Sequence, residues 1–257
     1  MAGDPGAGGP AAGGGNLAGG GAAAAQLMVG DLESLEMSAE VAHHVARVLR
    51  LRPGELVTAA DGHGGWRPCR LGGGRGRPRL DPEGPPREAP RPAPAVGVAF
   101  SLLKGDRPAW VVQKLTEMGV DRIVPLVAGR AVVRWEPGEV DRHLDRLRRV
   151  AESAVMQSRR LWLPELWEPR TLAELAAREP VALSQSGGGP PRPGAILAVG
   201  PEGGWAGEEL ALGLPCVGLG PTVLRAETAA LVVGALLCGF RAGLAAPVTA
   251  GDGECLP

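Results

Sequence analysis

The apolar positions from Val96 onward fall into short continuous runs separated by stretches of helical spacing. Val96 to Leu103, Arg122 to Val127, Val181 to Leu183, Ala195 to Val199 and Val217 to Leu219 read as buried strands, bounded by glycine, proline or charge. Between them the period changes. Asp106 to Met118 predicts a helix with Trp110, Val111, Lys114, Leu115 and Met118 on one side, and Gly119 fits its C-terminal stop. Asp141 to Arg160 predicts a second helix with Leu144, Leu147, Ala151, Ala154 and Val155 on its apolar face. Thr171-Leu172-Ala173-Glu174 is a capping box that opens a short helix. Glu227 to Phe240 is nearly all apolar, which predicts a helix buried on most sides. Strands alternating with helices indicate a parallel α/β sheet.

The N-terminal third has a different rhythm. Val41 to Leu51 predicts a helical turn or two. Arg52-Pro53-Gly54-Glu55 is a turn, Leu56 to Ala60 a strand, and Asp61-Gly62 with Gly64-Gly65 are hairpin signals. This spacing suggests a small β-barrel over residues 26–92. Residues 81–94, rich in Pro, Arg and Glu, read as a linker, so a second domain spans 93–246. Residues 1–25 hold glycine and alanine with little that could pack, and are expected to form a disordered tail; 247–257 form a C-terminal tail.

Composition narrows the picture. The 257 residues include 41 Gly and 25 Pro but only six Trp, two Phe and no Tyr, so the core must be built from Leu, Val and Ala. The first basic residue is Arg47, which fits no secretory signal, and no apolar run is long enough to span a bilayer. The expected location is therefore cytoplasmic, with no membrane partner. Cys69, Cys216, Cys238 and Cys255 lack metal-ligand spacing, so no metal is expected. A net charge of −1 argues against a general nucleic-acid binder. Two local clusters stand against that average. One holds Arg67, Arg70, Arg75, Arg77, Arg79, Arg87 and Arg91; the other holds Arg142, His143, Arg146, Arg148, Arg149, Arg159 and Arg160. Each is either a phosphate-contacting face or a solvated one.

Three glycine-bearing loops follow the last three strands: Ser184-Gln185-Ser186-Gly187, Gly200-Pro201-Glu202-Gly203-Gly204 and Leu219-Gly220-Pro221. Ligands of open α/β sheets bind beyond the carboxyl ends of strands. Glycine there lets backbone N–H and C=O groups approach a ligand. Neither the dinucleotide fingerprint nor the phosphate-loop motif is present.

AVGPEGGW (198–205) and LGPTVLRAETAAL (219–231) resemble the cofactor-binding half of SPOUT RNA methyltransferases. KGDRPAWVVQKLTEMGVDRIVPL (104–126), AESAVMQSRRLWLPEL (151–166) and HHVARVLRLRPGELVTAADGHG (43–64) resemble, in the expected order, segments of the SPOUT family that methylates uracil N3 in 16S ribosomal RNA. The resemblance implies an α/β SPOUT domain with a trefoil-knotted parallel sheet, preceded by a PUA-like β-barrel that docks RNA. It implies S-adenosyl-L-methionine (SAM) as methyl donor, a homodimer as working unit, and 16S rRNA within the small ribosomal subunit as substrate. By the same resemblance Leu183, Gly200, Pro201, Glu202, Gly203, Gly204, Leu219, Gly220, Leu224 and Thr228 bind SAM. Arg225, Glu227 and Arg130 carry the chemistry. Arg225, or Arg130 as second choice, would stabilise the developing anion; Glu227 would either take the proton or orient Arg225.

The chain departs from the family pattern at several positions. Ala206 replaces a Ser that would cap a helix, at a cost of about 1 kcal/mol. Thr222 stands where a basic residue is common, Ala226 where Thr is common, and Gly129-Arg130-Ala131 where Glu-Arg-Ser is usual. Two alternatives follow. One is another SPOUT activity, 2′-O-ribose methylation; the other is a non-catalytic RNA-binding assembly factor on the same scaffold.

Overall fold

The computed structural model describes residues 23–47, 51–73 and 78–246, without the side chains of His44, Ala46 and Arg47. The expected tails over 1–22 and 247–257, and Arg75 and Arg77, lie outside the described residues.

The first unit is a five-stranded sheet with one helix: β1 (Ala25–Met28), α1 (Ala39–Arg47), β2 (Leu56–Ala60), β3 (Gly65–Gly72), β4 (Arg79–Pro82) and β5 (Arg87–Glu88). The order is β1-β2-β3-β4, with β5 also pairing with β3. β1 runs parallel to β2, while β2, β3 and β4 are antiparallel neighbours. Two expectations are corrected here. Ala23 is buried and Ala25 pairs with Val57, so the ordered unit begins before residue 26. The stretch 81–94 is not a plain linker, because β4 and β5 draw on it. Its Pro and Arg content fits short edge strands as well as loops.

The second unit contains β6 (Gly97–Ser101), α2 (Arg107–Met118), β7 (Arg122–Val127), α3 (Val140–Ser158), β8 (Glu165–Leu166), β9 (Arg170–Thr171), α4 (Leu172–Ala176), β10 (Val181–Gly189), β11 (Ile196–Val199), α5 (Gly207–Leu210), β12 (Cys216–Val217) and α6 (Ala226–Arg241). Its sheet has the order β12-β10-β11-β6-β7-β8, with β9 also on β7, and every pairing is parallel. The central strands are buried on both faces, as crossover connections require. Helices α2 and α6 pack on one face around Phe100, Leu115, Val233 and Leu237. On the other, Leu126, Leu172, Leu183 and Trp205 form a second cluster.

The helices follow their sequence signals with one rotation. Gly119, at φ 103°, ends α2 in the left-handed conformation that glycine adopts freely. The apolar face of α3 is Leu144, Leu147, Ala151, Ala154 and Val155, as its spacing predicts. Thr171 and Glu174 form the reciprocal capping box. In α2, however, the buried face is Pro108, Val111, Val112, Leu115 and Thr116, and Trp110 is exposed. The long apolar helix α6 is also less enclosed than expected: Leu231, Val232, Leu236 and Phe240 are only half-buried.

The two units meet along a seam. Gly64 N–H donates to Leu161 O (2.9 Å) and Leu163 N–H to Gly62 O (2.8 Å), so the β2–β3 hairpin pairs with the chain after α3. Gly62 and Gly64 have φ of 79° and 96°, and a Cβ on Gly64 would fall 2.4 Å from Trp162. Glycine is therefore demanded twice at this turn, by conformation and by contact. Gln26 Nε2 donates to Arg160 O (2.5 Å), and Ala60, Trp66 and Leu161 form a small buried cluster across the boundary.

Candidate functional site

The carboxyl ends of β10, β11 and β12 open onto one cavity of about 930 Å³. Its walls come mainly from three stretches of chain, within 184–186, 199–205 and 219–226, with Arg107, Leu210 and Ala229 from the flanking helices. The convergence expected of the three glycine-bearing loops is what the fold produces. The first stretch differs in detail, since β10 does not stop at Leu183 but continues to Gly189 and pairs again with Val217 after an irregularity. Gly188 makes that approach feasible, because a Cβ there would sit 2.5 Å from the Val217 backbone nitrogen.

Trp205 ties the first two stretches together. Its indole is buried, and its Nε1–H donates to Ser184 O (3.1 Å). A Cβ on Gly200 would stand 3.0 Å from that indole, a close contact that glycine avoids as the loop wraps the ring. Gly204 and Gly220 have φ of 70° and 122°, which side-chain-bearing residues rarely adopt. Backbone at these glycines thus forms part of the cavity wall, together with the half-buried Leu219 and Leu224.

Helix α5 stands behind the middle loop. Ala206 is its N-cap and offers no side-chain acceptor. The buried carboxylate of Glu209 supplies the other half of a capping box, accepting from the N–H of Ala206 (2.7 Å) and also from that of Gly129 (3.0 Å). One carboxylate therefore joins the 200–206 loop to the segment after β7. That segment carries Arg130, whose Nη1 donates to Gly203 O (3.0 Å). The Gly129 departure has a steric partner: a Cβ there would lie 2.9 Å from the Ala206 Cβ.

The third stretch leads into α6. Arg225 is the N-cap residue, extended and exposed, with no side-chain cap bond. Glu227 lies in the first turn, and its side chain is only 13% exposed. Its Oε1 is 3.5 Å from Nη1 of Arg107, while its Oε2 is buried without a hydrogen-bond partner. Ala226 is packed into the core, where a Thr hydroxyl would need a partner; Thr222 lies on the cavity wall, exposed.

Of the residues singled out from sequence, Gly200, Pro201, Glu202, Gly204, Leu219, Gly220, Leu224 and Arg225 line the cavity. Leu183 is buried behind it in the second core cluster, and Gly203 faces Arg130. Thr228 is exposed outside the lining, and Glu227 stands beside Arg107, which does line it. Sequence reasoning missed Arg107, Trp205 and Glu209 as parts of the site. The first two lie inside the motifs already noted; nothing local marks Glu209, whose partner Gly129 is 80 residues away.

Most described arginines of the two clusters have partners within the chain. Arg67 pairs with Glu33, Arg70 with Glu83, Arg79 with Asp81 and Arg91 with Glu165; Arg87 lies over Trp66. Arg142, Arg146 and Arg148 also have carboxylate partners. Arg160 is buried, donating to Thr116 O and Val120 O and pairing with Asp121, so it contacts no phosphate. Among the described residues no group of His, Cys, Asp and Glu could hold a metal, and no helix is long and apolar enough to cross a membrane.

Two family models match the chain: an RNA methyltransferase domain over residues 90–238 and an RNA methyltransferase PUA domain over 38–80. A ribosomal RNA small subunit methyltransferase E from Mycobacterium bovis is 35% identical over 218 residues, covering 74% of this chain and 80% of the relative. The protein of that name from Bacillus subtilis is 27% identical, covering 79% and 89%. The crystal structure of a ribosomal RNA small subunit methyltransferase E from Neisseria gonorrhoeae bound to S-adenosyl methionine superposes with a TM-score of 0.71 at 25% identity, over 82% of this chain and 95% of that one. The SPOUT fold with a PUA-like N-terminal unit is borne out.

Proposed function

The chain belongs to the ribosomal RNA small subunit methyltransferase E family, and on that premise we propose that it uses SAM to methylate N3 of a uridine in 16S ribosomal RNA. The observation that carries the proposal is the convergence of 184–186, 199–205 and 219–226 on one cavity. The residues present suit the donor. A volume of about 930 Å³ lies within the range of small-molecule sites. Glycine-rich backbone at 200, 204 and 220 can present N–H and C=O groups to an adenine edge and to polar tails. Leu219 and Leu224 supply apolar cover for the ring. Bound SAM supplies an electrophilic methyl group on a sulfonium sulfur.

The chain's own residues have three tasks. The N3 proton of uracil must leave, and charge then spreads over O2, N3 and O4. Arg225, on the cavity wall at the start of α6, neutralises that charge, assisted by the positive end of the helix. Glu227, whose Oε1 faces Arg107 and whose Oε2 is buried without a hydrogen-bond partner, takes the proton or orients Arg225. Arg130 keeps the Gly203 carbonyl, and with it the middle loop, in place. Positioning of this kind is the main source of rate when the electrophile is already activated.

The reading extends to assembly. The half-buried Leu231, Val232, Leu236 and Phe240 of α6 form a stripe suited to a second copy of the chain, giving a homodimer. The N-terminal unit docks RNA of the small subunit, and the protein works in the cytoplasm. Calorimetry with SAM, followed by nucleoside mass spectrometry of small-subunit RNA from cells lacking the protein, tests the proposal. Loss of N3-methyluridine on deletion, restored by re-expression, is expected. Loss of a ribose-methylated nucleoside would favour the 2′-O alternative, and absence of SAM binding the non-catalytic one.

A further inference from the structure

A second cavity, of about 360 Å³, is walled by the turn between β6 and α2, the segment after β7 and one side of α3. Both contributing loops also serve the first cavity. Lys104 to Asp106 wall the second while their neighbour Arg107 lines the first. Val133 to Trp135 wall the second, while Arg130 of the same segment is bonded to Gly203. Part of its wall is aromatic: Trp135 stacks on His143, ring centroids 4.6 Å apart and planes 14° from parallel. Its rim is cationic. Lys104 and Arg134 are exposed and have no ion pair among the described residues, whereas Arg146 is neutralised by Asp106 at 2.7 Å. Three cations against one carboxylate leave an excess of two positive charges. Other exposed arginines, Arg70, Arg79, Arg142 and Arg148 among them, do face a carboxylate.

An aromatic surface flanked by unpaired cations is what a single-stranded nucleotide requires: a ring for the base and charge for the phosphate. A volume of about 360 Å³ falls at the small end of ligand sites, roughly 300–1,000 Å³, which suits one nucleotide unit and not an extended duplex. A uridine methylated on its pairing edge must be unpaired or turned out of its helix, which leaves its neighbours unstacked. We propose that this cavity is a subsite for a nucleotide flanking the methylated uridine, its base stacked on Trp135 and its phosphate held by Lys104 and Arg134. The inference rests on the RNA methyltransferase reading and adds to it a place where the substrate strand is gripped.

The test uses the full-length protein and small ribosomal subunits purified from cells that lack it. Binding of those subunits, methyl transfer to them, and SAM affinity by calorimetry are measured separately. Trp135→Ala should weaken subunit binding by roughly 5- to 150-fold, the range for loss of one stacked base. Trp135→Phe, which keeps a ring, should recover most of it. Lys104→Ala and Arg134→Ala should each lower the slope of log affinity against log salt by about 0.7, one single-strand phosphate contact. SAM affinity should stay within twofold in all four. Unchanged subunit binding and salt slope in both cation variants would overturn the subsite. So would a Trp135→Phe variant as impaired as Trp135→Ala, with its melting temperature lowered to match, since the ring would then be only structural. If the unaltered protein binds subunits but transfers no methyl group, the proposed activity fails, and the binding data still decide the subsite.

Discussion

Replacing Glu209 by alanine should damage the molecule at two levels that can be measured apart. The carboxylate is buried and accepts two backbone N–H bonds, from Ala206 at 2.7 Å and Gly129 at 3.0 Å. A hydrogen bond to a charged group contributes roughly 1.5–3 kcal/mol, so both together approach about 3–6 kcal/mol. Gly129 is exposed and Ala206 half-buried, so water replaces part of what is lost, leaving a penalty of about 2–4 kcal/mol. For a chain of this size that lowers the melting temperature by roughly 4–16 °C. The second level is geometric. The bonds hold the 200–206 loop against the segment that carries Arg130, and a displacement of about 1 Å there can cost about a hundredfold in turnover. Glu209→Gln keeps one carbonyl acceptor without the charge, and should show about half the stability loss. Thermal denaturation gives the first quantity and single-turnover transfer of labelled methyl groups the second. A Glu209→Ala variant that melts within 1 °C of the parent and turns over normally would refute the bracing role.

Arg225→Ala should retain SAM affinity by calorimetry while methyl transfer falls by about 10²–10³, the effect of removing one donor to a developing anion; equal turnover would end that assignment. Asp121→Ala should cost about 3–5 kcal/mol in urea denaturation, since it leaves the buried Arg160 and largely buried Arg241 without their carboxylate and Val96 N–H without its acceptor. Its SAM affinity should be normal when measured below the transition, because Asp121 lies at the amino end of β7, away from the cavity. Burial raises the Glu165 carboxyl, but hydrogen bonds from Arg91 and Trp167 and the charge of Arg122 outweigh it and hold the pKa below the ordinary value. A depressed folded-state pKa stabilises fully above the unfolded value, about 4.3, and the stabilisation fades as pH falls through the lower one. Glu165→Gln should therefore flatten the acid limb of stability against pH; an identical limb would show that the Arg91 contact is idle.

How far the sequence could be read depended on whether a residue's neighbours are close in the chain. β2, β7 and the apolar face of α3 follow directly from local runs and spacing. The cavity was legible too, because its three loops sit at strand ends and carry glycine. What failed was set by distant partners. β10 continues through Gly187 to Gly189 only because Val217 lies alongside, which no local rule reveals. β4 and β5 hide in a stretch that reads as linker, since short edge strands tolerate Pro and charge. Arg160 counted as one of a basic cluster, yet three backbone or carboxylate partners around residues 116–121 draw it inward. On α2, the exposed Trp110 shows that helical spacing alone does not say which side meets α3 and α6.

The seam between the β2–β3 hairpin and the chain after α3 has a consequence for target choice. Backbone pairing at Gly62 and Gly64, the Gln26 bond and the shared apolar cluster fix the two units as one body. With docking assigned to one unit and methyl transfer to the other, the molecule acts as a caliper with locked jaws. On the proposed reading, a uridine would be selected by its span from the docked surface. A short insertion between Trp162 and Glu165 would reset that gap, and the modified nucleotide would move or the mark would vanish.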